Sequence, residues 1–206
     1  MNKKIRPKVE ELTKEPVQEL TKEQIEINAK RDQIINDWTR IRLEGYSNDH
    51  LEIKSDIIKG MGVFAKKDFN KGEIVEYCHS MIYDWREKYI SDRSIIEYAY
   101  RHWCDCKECR THGGLKITPF GFGSIYNSSE TKDTANVMHW IFANHRLIAY
   151  EAIKEIKKGE ELVSWFGERY YNDFCKPKVD WSNTEEGKKY ISNKTGTDTY
   201  HGLYAV

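Results

Sequence analysis

Three thiols and an imidazole are crowded into one stretch of nine residues: Cys104, Cys106, Cys109 and His112. Thiolate sulfur and imidazole nitrogen are the donors that close a tetrahedral zinc site, so this stretch can hold a structural ion with no position left open for chemistry. Cys78 or Cys175 could replace one donor. The Cys-x-Cys-x-x-Cys spacing differs from the common paired Cys-x-x-Cys frameworks, and an exposed loop of reduced thiols reads the same residues equally well. A second kind of chemistry is suggested by Gly60-Met61-Gly62 and by Asn127. Glycines let a backbone approach a ligand closely, although the same pattern makes a hairpin turn. Asn127 offers a carbonyl and an amide, or simply a turn. Phe120, Phe122 and Tyr126 lie beside it and could line a channel or fill a core.

These residues need elements to hold them. Thr21 and Gln24 form a capping-box pattern and Gly45 is a stop signal, which predicts a helix over about 22–44. Ile27, Ile34, Trp38 and Ile41 form its apolar stripe, to pack on the main domain or on a second copy of the chain in a homodimer. Residues 1–48 thus read as a charged extension carrying one amphipathic helix. From Leu51 the texture changes to short apolar segments punctuated by glycine. Lys59 to Ala65 and Asn70 to Tyr77 each read as a turn feeding a strand, and the second has an echo at Lys157 to Val163. Val137–Phe142 and Arg146–Ile153 read as two strands joined at Asn144 and His145. Asp92 to Trp103 reads as a short helix. Residues 49–175 therefore predict a β-rich α+β domain with a cysteine-rich insert at about 103–113. Residues 176–206 read as a polar, partly aromatic tail, ordered where Trp181, Tyr190, Tyr200 and Tyr204 dock.

The chain has 206 residues, with 33 basic and 33 acidic. That balance gives no bulk electrostatic reason to bind nucleic acid. No apolar run has the length of a membrane span, and the start lacks the apolar stretch of a signal peptide. The expectation is an intracellular protein, cytoplasmic or nuclear, not secreted.

Three segments, in order, resemble the SET family of protein-lysine methyltransferases. Lys59-Gly60-Met61-Gly62-Val63-Phe64-Ala65 is similar to its opening glycine turn and strand. Gly121 to Ser129, with Asn136 further on, looks like its glycine and Asn-His-Ser segment. Gly159-Glu160-Glu161-Leu162-Val163-Ser164-Trp165-Phe166-Gly167, followed by Tyr170 and Tyr171, is similar to its closing block and is closest to the PR-domain branch.

The resemblance implies a fold of short strands with a knot-like crossing, holding S-adenosylmethionine and admitting a protein lysine, of a histone or another protein. It implies cofactor binding by Gly60, Met61, Gly62, Phe64, Asn127, Ser128, Trp165 and Phe166. It implies a substrate channel with Phe120, Phe122 and Ser164, and catalytic positions at Phe166, Tyr126, Tyr170 and Tyr171. Two residues depart from the family pattern. Ser128 stands where the family has histidine, and Phe166 stands where it has a tyrosine whose hydroxyl positions the reacting groups; Tyr170 or Tyr171 could supply that hydroxyl. The alternatives are a catalytically weak module of this fold that binds cofactor or peptide, and a small zinc-containing nucleic-acid binder.

Overall fold

The structure, a computed structural model, describes residues 20–45, 47–56, 59–83, 99–102, 107–112 and 114–194. The chain divides into two compact units, one through Asp37 and the other from Trp38. Helix α1 runs Lys22–Glu44. Its start is capped reciprocally: the Thr21 N–H donates to Gln24 Oε1 at 2.8 Å, and the Gln24 N–H to Thr21 Oγ1 at 3.2 Å. Gly45 ends it at φ +91°, a conformation that side chains disfavour. The apolar stripe is shorter than its spacing suggests. Ile34, Trp38 and Ile41 are buried, but Ile27 is 41% exposed. Within the second unit the Trp38 indole N–H donates to the His145 carbonyl at 3.3 Å, and its ring stacks on His79.

The second unit is built on strands β1 (Leu51–Asp56), β2 (Gly60–Ala65), β3 (Ile74–Tyr83), β4 (Tyr100–His102), β5 (Leu115–Pro119), β6 (Asn127–Ser128), β7 (Val137–Phe142), β8 (Leu147–Ala152) and β9 (Glu161–Ser164), with helix α2 (Lys107–His112) between β4 and β5. Among the described residues their order is β1-β2-β9-β7-β8-β3-β5-β4, with β6 paired to β9. Strand β8 lies between β7 and β3 and is almost wholly apolar, as a strand buried on both faces must be. The two Lys-Gly-Glu turns prove to be one device used twice. Gly72 and Gly159 have φ of +86° and +91°. The glutamate after each glycine accepts the backbone N–H three residues earlier, from Asn70 at 3.1 Å and from Lys157 at 2.9 Å. Just before these turns Phe69 and Ile156 bridge each other.

Segments far apart in sequence meet at β9, and this is the crossing of the fold. Strand β6 joins it in parallel, Asn127 opposite Val163 and Ser128 opposite Ser164. Asn136 clamps it from the side, donating to the Glu161 carbonyl and accepting from the Val163 N–H, both at 2.8 Å.

Two expectations need correction. Tyr100–His102 is a strand paired with Leu115–Ile117, not the end of a helix; the rest of Asp92–Trp103 lies outside the described residues apart from Ala99. From Glu168 to Lys194 the chain is helical, with α3 (Glu168–Tyr170), a π turn (Tyr171–Cys175), α4 (Lys176–Ser182) and α5 (Glu185–Lys194); the rest of the expected tail, with Tyr200 and Tyr204, lies outside the described residues. Trp181 and Tyr190 pack edge to face at 5.5 Å, and the Thr184 hydroxyl accepts the Gly187 N–H. That apolar contact and that cap both favour helix in an otherwise polar stretch.

Gly123 sets a tight joint under the site. A Cβ there would lie 2.6 Å from Cys78 Sγ, 2.8 Å from Pro119 Cβ and 3.0 Å from the Tyr150 ring. Gly123→Ala is therefore expected to cost about 2 kcal/mol of stability through overpacking. Urea unfolding should show a lower midpoint at unchanged slope.

Candidate functional site

A cleft of about 1130 Å³ opens in the second unit, walled by β4, β5, the segment from Gly123 to Glu130, the loop after β9 and the π turn. At one end Met61 and Asn127 meet. The Asn127 amide donates to the Met61 carbonyl at 3.2 Å and to Glu161 Oε1 at 2.7 Å. Both partners are pure acceptors, so both amide hydrogens are spent and Asn127 keeps only its carbonyl oxygen for a ligand. Ser128 does the same, donating its hydroxyl to the Ser129 carbonyl at 3.1 Å. Gly62 explains itself here: a Cβ would fall 2.6 Å from Glu161 Oε1 and 3.1 Å from Asn127 Nδ2. It makes room for the Asn127–Glu161 contact. Lys59 closes this end, its ammonium 2.8 Å from Glu161 Oε2.

The rest of the cleft is aromatic. Phe166 packs edge to face on Tyr100 and on Tyr170, each at 5.5 Å, and His139 lies 4.6 Å from Tyr100. Burial holds the His139 imidazole down to about 4, so it is neutral at physiological pH. Three phenols here are tied into hydrogen bonds. Tyr150 donates its proton to the Gly123 carbonyl at 2.7 Å, and its oxygen sits 2.7 Å from the Tyr100 oxygen. The proton between the two rings must therefore come from Tyr100. Tyr126 donates to Glu76 Oε2 at 3.1 Å. Tyr100, Tyr126, Asn127 and Ser128 all line the cleft, and each gives its side-chain protons to a protein acceptor.

Glu76 is 3% exposed and accepts the Phe122 N–H at 3.0 Å as well as the Tyr126 hydroxyl. Burial pushes its carboxyl up to about 7, against the pull of its hydrogen-bond donors. It points inward because β3 carries a bulge: the register shifts between Ile74 and Glu76, so that Val75 and Glu76 are both buried.

The residues singled out from sequence fall in three places. Met61, Tyr126, Asn127, Ser128, Trp165, Phe166, Tyr170 and Tyr171 line the cleft. Gly60, Gly62 and Phe64 lie on β2 beside it, and Ser164 is buried on β9 with its hydroxyl 3.5 Å from His139. Phe122 packs into the core, whereas Phe120 is 51% exposed and stacks on His79. Cys104 and Cys106 lie outside the described residues. Cys109 is buried with its sulfur 3.9 Å from the His102 carbonyl, and His112 ends α2. Among the described residues no group of three metal-ligating side chains converges. Tyr100, His139, Tyr150 and Glu76 were not singled out from sequence.

The family model for the SET domain matches residues 60–167 of the 206. Over 141 residues the chain is 28% identical to the histone-lysine N-methyltransferase set-1 of Caenorhabditis elegans, across 62% of this chain and 54% of that protein. The chain thus spans about half the length of this curated relative. Among solved structures it is similar to ATXR5 in complex with histone H3.1, at 17% identity and a TM-score of 0.49, over 74% of this chain and 67% of that one. It is also similar to ctPRC2 bound to S-adenosylmethionine, at 18% identity and a TM-score of 0.42, over 72% and 17%. The methyltransferase domain of human PR domain-containing protein 2 aligns at 16% identity and a TM-score of 0.41, over 77% and 95%. No described helix is long and apolar enough to cross a membrane.

Proposed function

We propose that this chain, which belongs to the SET-domain family, transfers a methyl group from S-adenosylmethionine to a lysine side chain of a protein substrate. One observation supports the reading: four polar side chains that line the cleft, Tyr100, Tyr126, Asn127 and Ser128, have given their protons to other protein atoms and keep lone pairs. Such a lining suits ligands whose polar atoms bear hydrogens, above all amines.

The donor set fits the cofactor. Its amino group would meet the Asn127 carbonyl oxygen and the Ser128 hydroxyl oxygen, and Lys59 would face its carboxylate. Trp165 and Phe166 offer ring faces to a cation. When bound, S-adenosylmethionine supplies an electrophilic methyl group on a positively charged sulfur.

The chain's own residues would prepare the amine. A lysine must lose its proton before it can attack, which costs about 4–5 kcal/mol at neutral pH. Desolvation in the part of the cleft walled by Phe166, Tyr170 and neutral His139 lowers that cost, because removal from water disfavours the charged form of the amine. Tyr100 would accept one N–H of the neutral amine and so aim its lone pair, while the aromatic walls exclude water. The substrate would be a histone or another protein presenting a lysine, met in the cytoplasm or nucleus. Phe166, which lacks a hydroxyl, favours a second reading, a cofactor- or peptide-binding module with slow turnover.

Saturating S-adenosylmethionine should raise the unfolding temperature, since a hundredfold excess over Kd adds about 2.7 kcal/mol. Asn127→Ala should weaken that binding about tenfold by calorimetry, because it removes the acceptor and releases Met61 and Glu161 together. Unchanged affinity would remove the cofactor from this end of the cleft. Radiolabelled methyl transfer to lysate proteins separates the enzyme from the slow module.

A further inference from the structure

The wall of the cleft beside Tyr100 carries two cations that the methyl-transfer reading does not use. Arg101 on β4 and Lys116 on β5 are direct partners in the register, and both line the cleft. Direct cross-strand partners put their side chains on one face of the sheet, where like charges repel. Neither makes a salt bridge with a carboxylate among the described residues, although ion pairs form elsewhere around the domain, as at Lys59–Glu161 and Lys67–Glu73. Lys116 is half-buried, and burial together with the Arg101 charge pushes its pKa below the usual lysine range. Arg101 is exposed, and two like charges opposite each other repel less when an anion comes between them.

The surrounding charge points the same way. The chain as a whole is neutral, yet among the described residues the charged ones lining the cleft are Lys59, Arg101, Lys116 and Lys178 against one carboxylate, Glu130. Lys59 already has Glu161 and stands at the Asn127 end. Arg101 follows Tyr100, the phenol assigned to the incoming amine, and leaves the opposite face of β4, yet both line the same cleft. An anion that satisfies the pair would therefore ride on the molecule that brings the lysine.

We propose that Arg101 and Lys116 form a subsite for an acidic side chain, and that the protein selects lysines flanked by aspartate or glutamate. This rests on the assignment of the cleft to a protein lysine.

The test uses the full chain and a set of fluorescent peptides that carry one central lysine. The two residues on either side are glutamate, glutamine or arginine. Fluorescence anisotropy should show the glutamate peptide binding about tenfold tighter than its glutamine isostere and the arginine peptide weakest, with the preference shrinking as salt rises. The double variant Arg101→Glu with Lys116→Glu should invert the order, and Lys116→Gln alone should halve the effect on a logarithmic scale. Equal affinity for glutamate and glutamine peptides, or no binding of either up to millimolar concentration, overturns the subsite. Because binding is read without cofactor, a protein that prefers the acidic peptide but transfers no methyl group keeps the subsite and loses the enzyme reading.

Discussion

Between pH 4 and pH 8 the stability of Glu76→Gln, relative to the unaltered protein, is expected to swing by about 3 kcal/mol in favour of the variant. In the folded state burial holds the Glu76 proton until about pH 7, whereas the unfolded chain releases it near 4.5. Folding is therefore helped by this group below 4.5 and loses that help as pH rises to 7. Glutamine does not titrate and keeps the shape. The unaltered protein should nevertheless look insensitive to pH over most of this range, because His139 does the reverse. Its imidazole stays neutral down to about 4 when folded and takes up a proton near 6.5 when unfolded, so its contribution is lost as pH falls from 6.5 to 4. From about 4.5 to 6.5 the folded state holds one extra proton on Glu76 and lacks one on His139, and the two slopes cancel. The exposed carboxylates Glu52 and Asp68 are held below their ordinary range by Lys54 and by the Lys158 N–H, so they act at lower pH. Each substitution unmasks the other group: Glu76→Gln should gain stability with rising pH, and His139→Asn should lose it. Urea unfolding at four pH values reads both curves. Curves parallel to that of the unaltered protein would show that neither group is perturbed by burial.

How much of this was legible in the residues depended on whether the signal was local. The capping box at Thr21 and Gln24, the stop at Gly45 and the twin Lys-Gly-Glu turns act over three or four positions, and the structure uses each as its spacing suggests. The meeting of Met61 with Asn127 is not local, yet three ordered segments sufficed to place it through resemblance to a family. What escaped was set by register. Glu76 sits in Val75-Glu76-Tyr77-Cys78, where simple alternation turns the glutamate outward with its apolar neighbours in; a one-residue bulge against β8 reverses the phase. Tyr100 was hidden in a segment read as helix, and only pairing with Ile117 makes it a strand residue. Phe120 erred the other way. Its ring stands next to the site in sequence, but an extended backbone at Phe120 followed by the tight turn at Gly121–Ser124 leaves it outside on His79.

Tyr100→Phe should lower kcat about a hundredfold, the usual scale for removing one positioned polar group at a reacting centre. The ring remains to pack against Phe166 and His139, so only the oxygen is lost. Stability should fall by about 1 kcal/mol, because the Tyr150 oxygen loses the hydrogen bond that Tyr100 donates to it. Binding of S-adenosylmethionine should not move, since Asn127, Ser128 and Lys59 lie at the other end of the cleft. Tyr170→Phe is the control for a rival source of the hydroxyl missing from Phe166; a larger loss there than at Tyr100 would reassign the role. The sharper test is at Tyr150, which lies behind Tyr100 and is buried. Tyr150→Phe leaves the Tyr100 hydroxyl in place but removes the acceptor of its proton, so Tyr100 becomes free to donate into the cleft. A donor facing the amine competes for the lone pair that must attack. Tyr150→Phe should therefore slow turnover nearly as much as Tyr100→Phe, and the double variant should be little slower than either single one. Independent, additive losses would mean that Tyr150 only packs, and that the direction of the proton between the two phenols does not matter for catalysis.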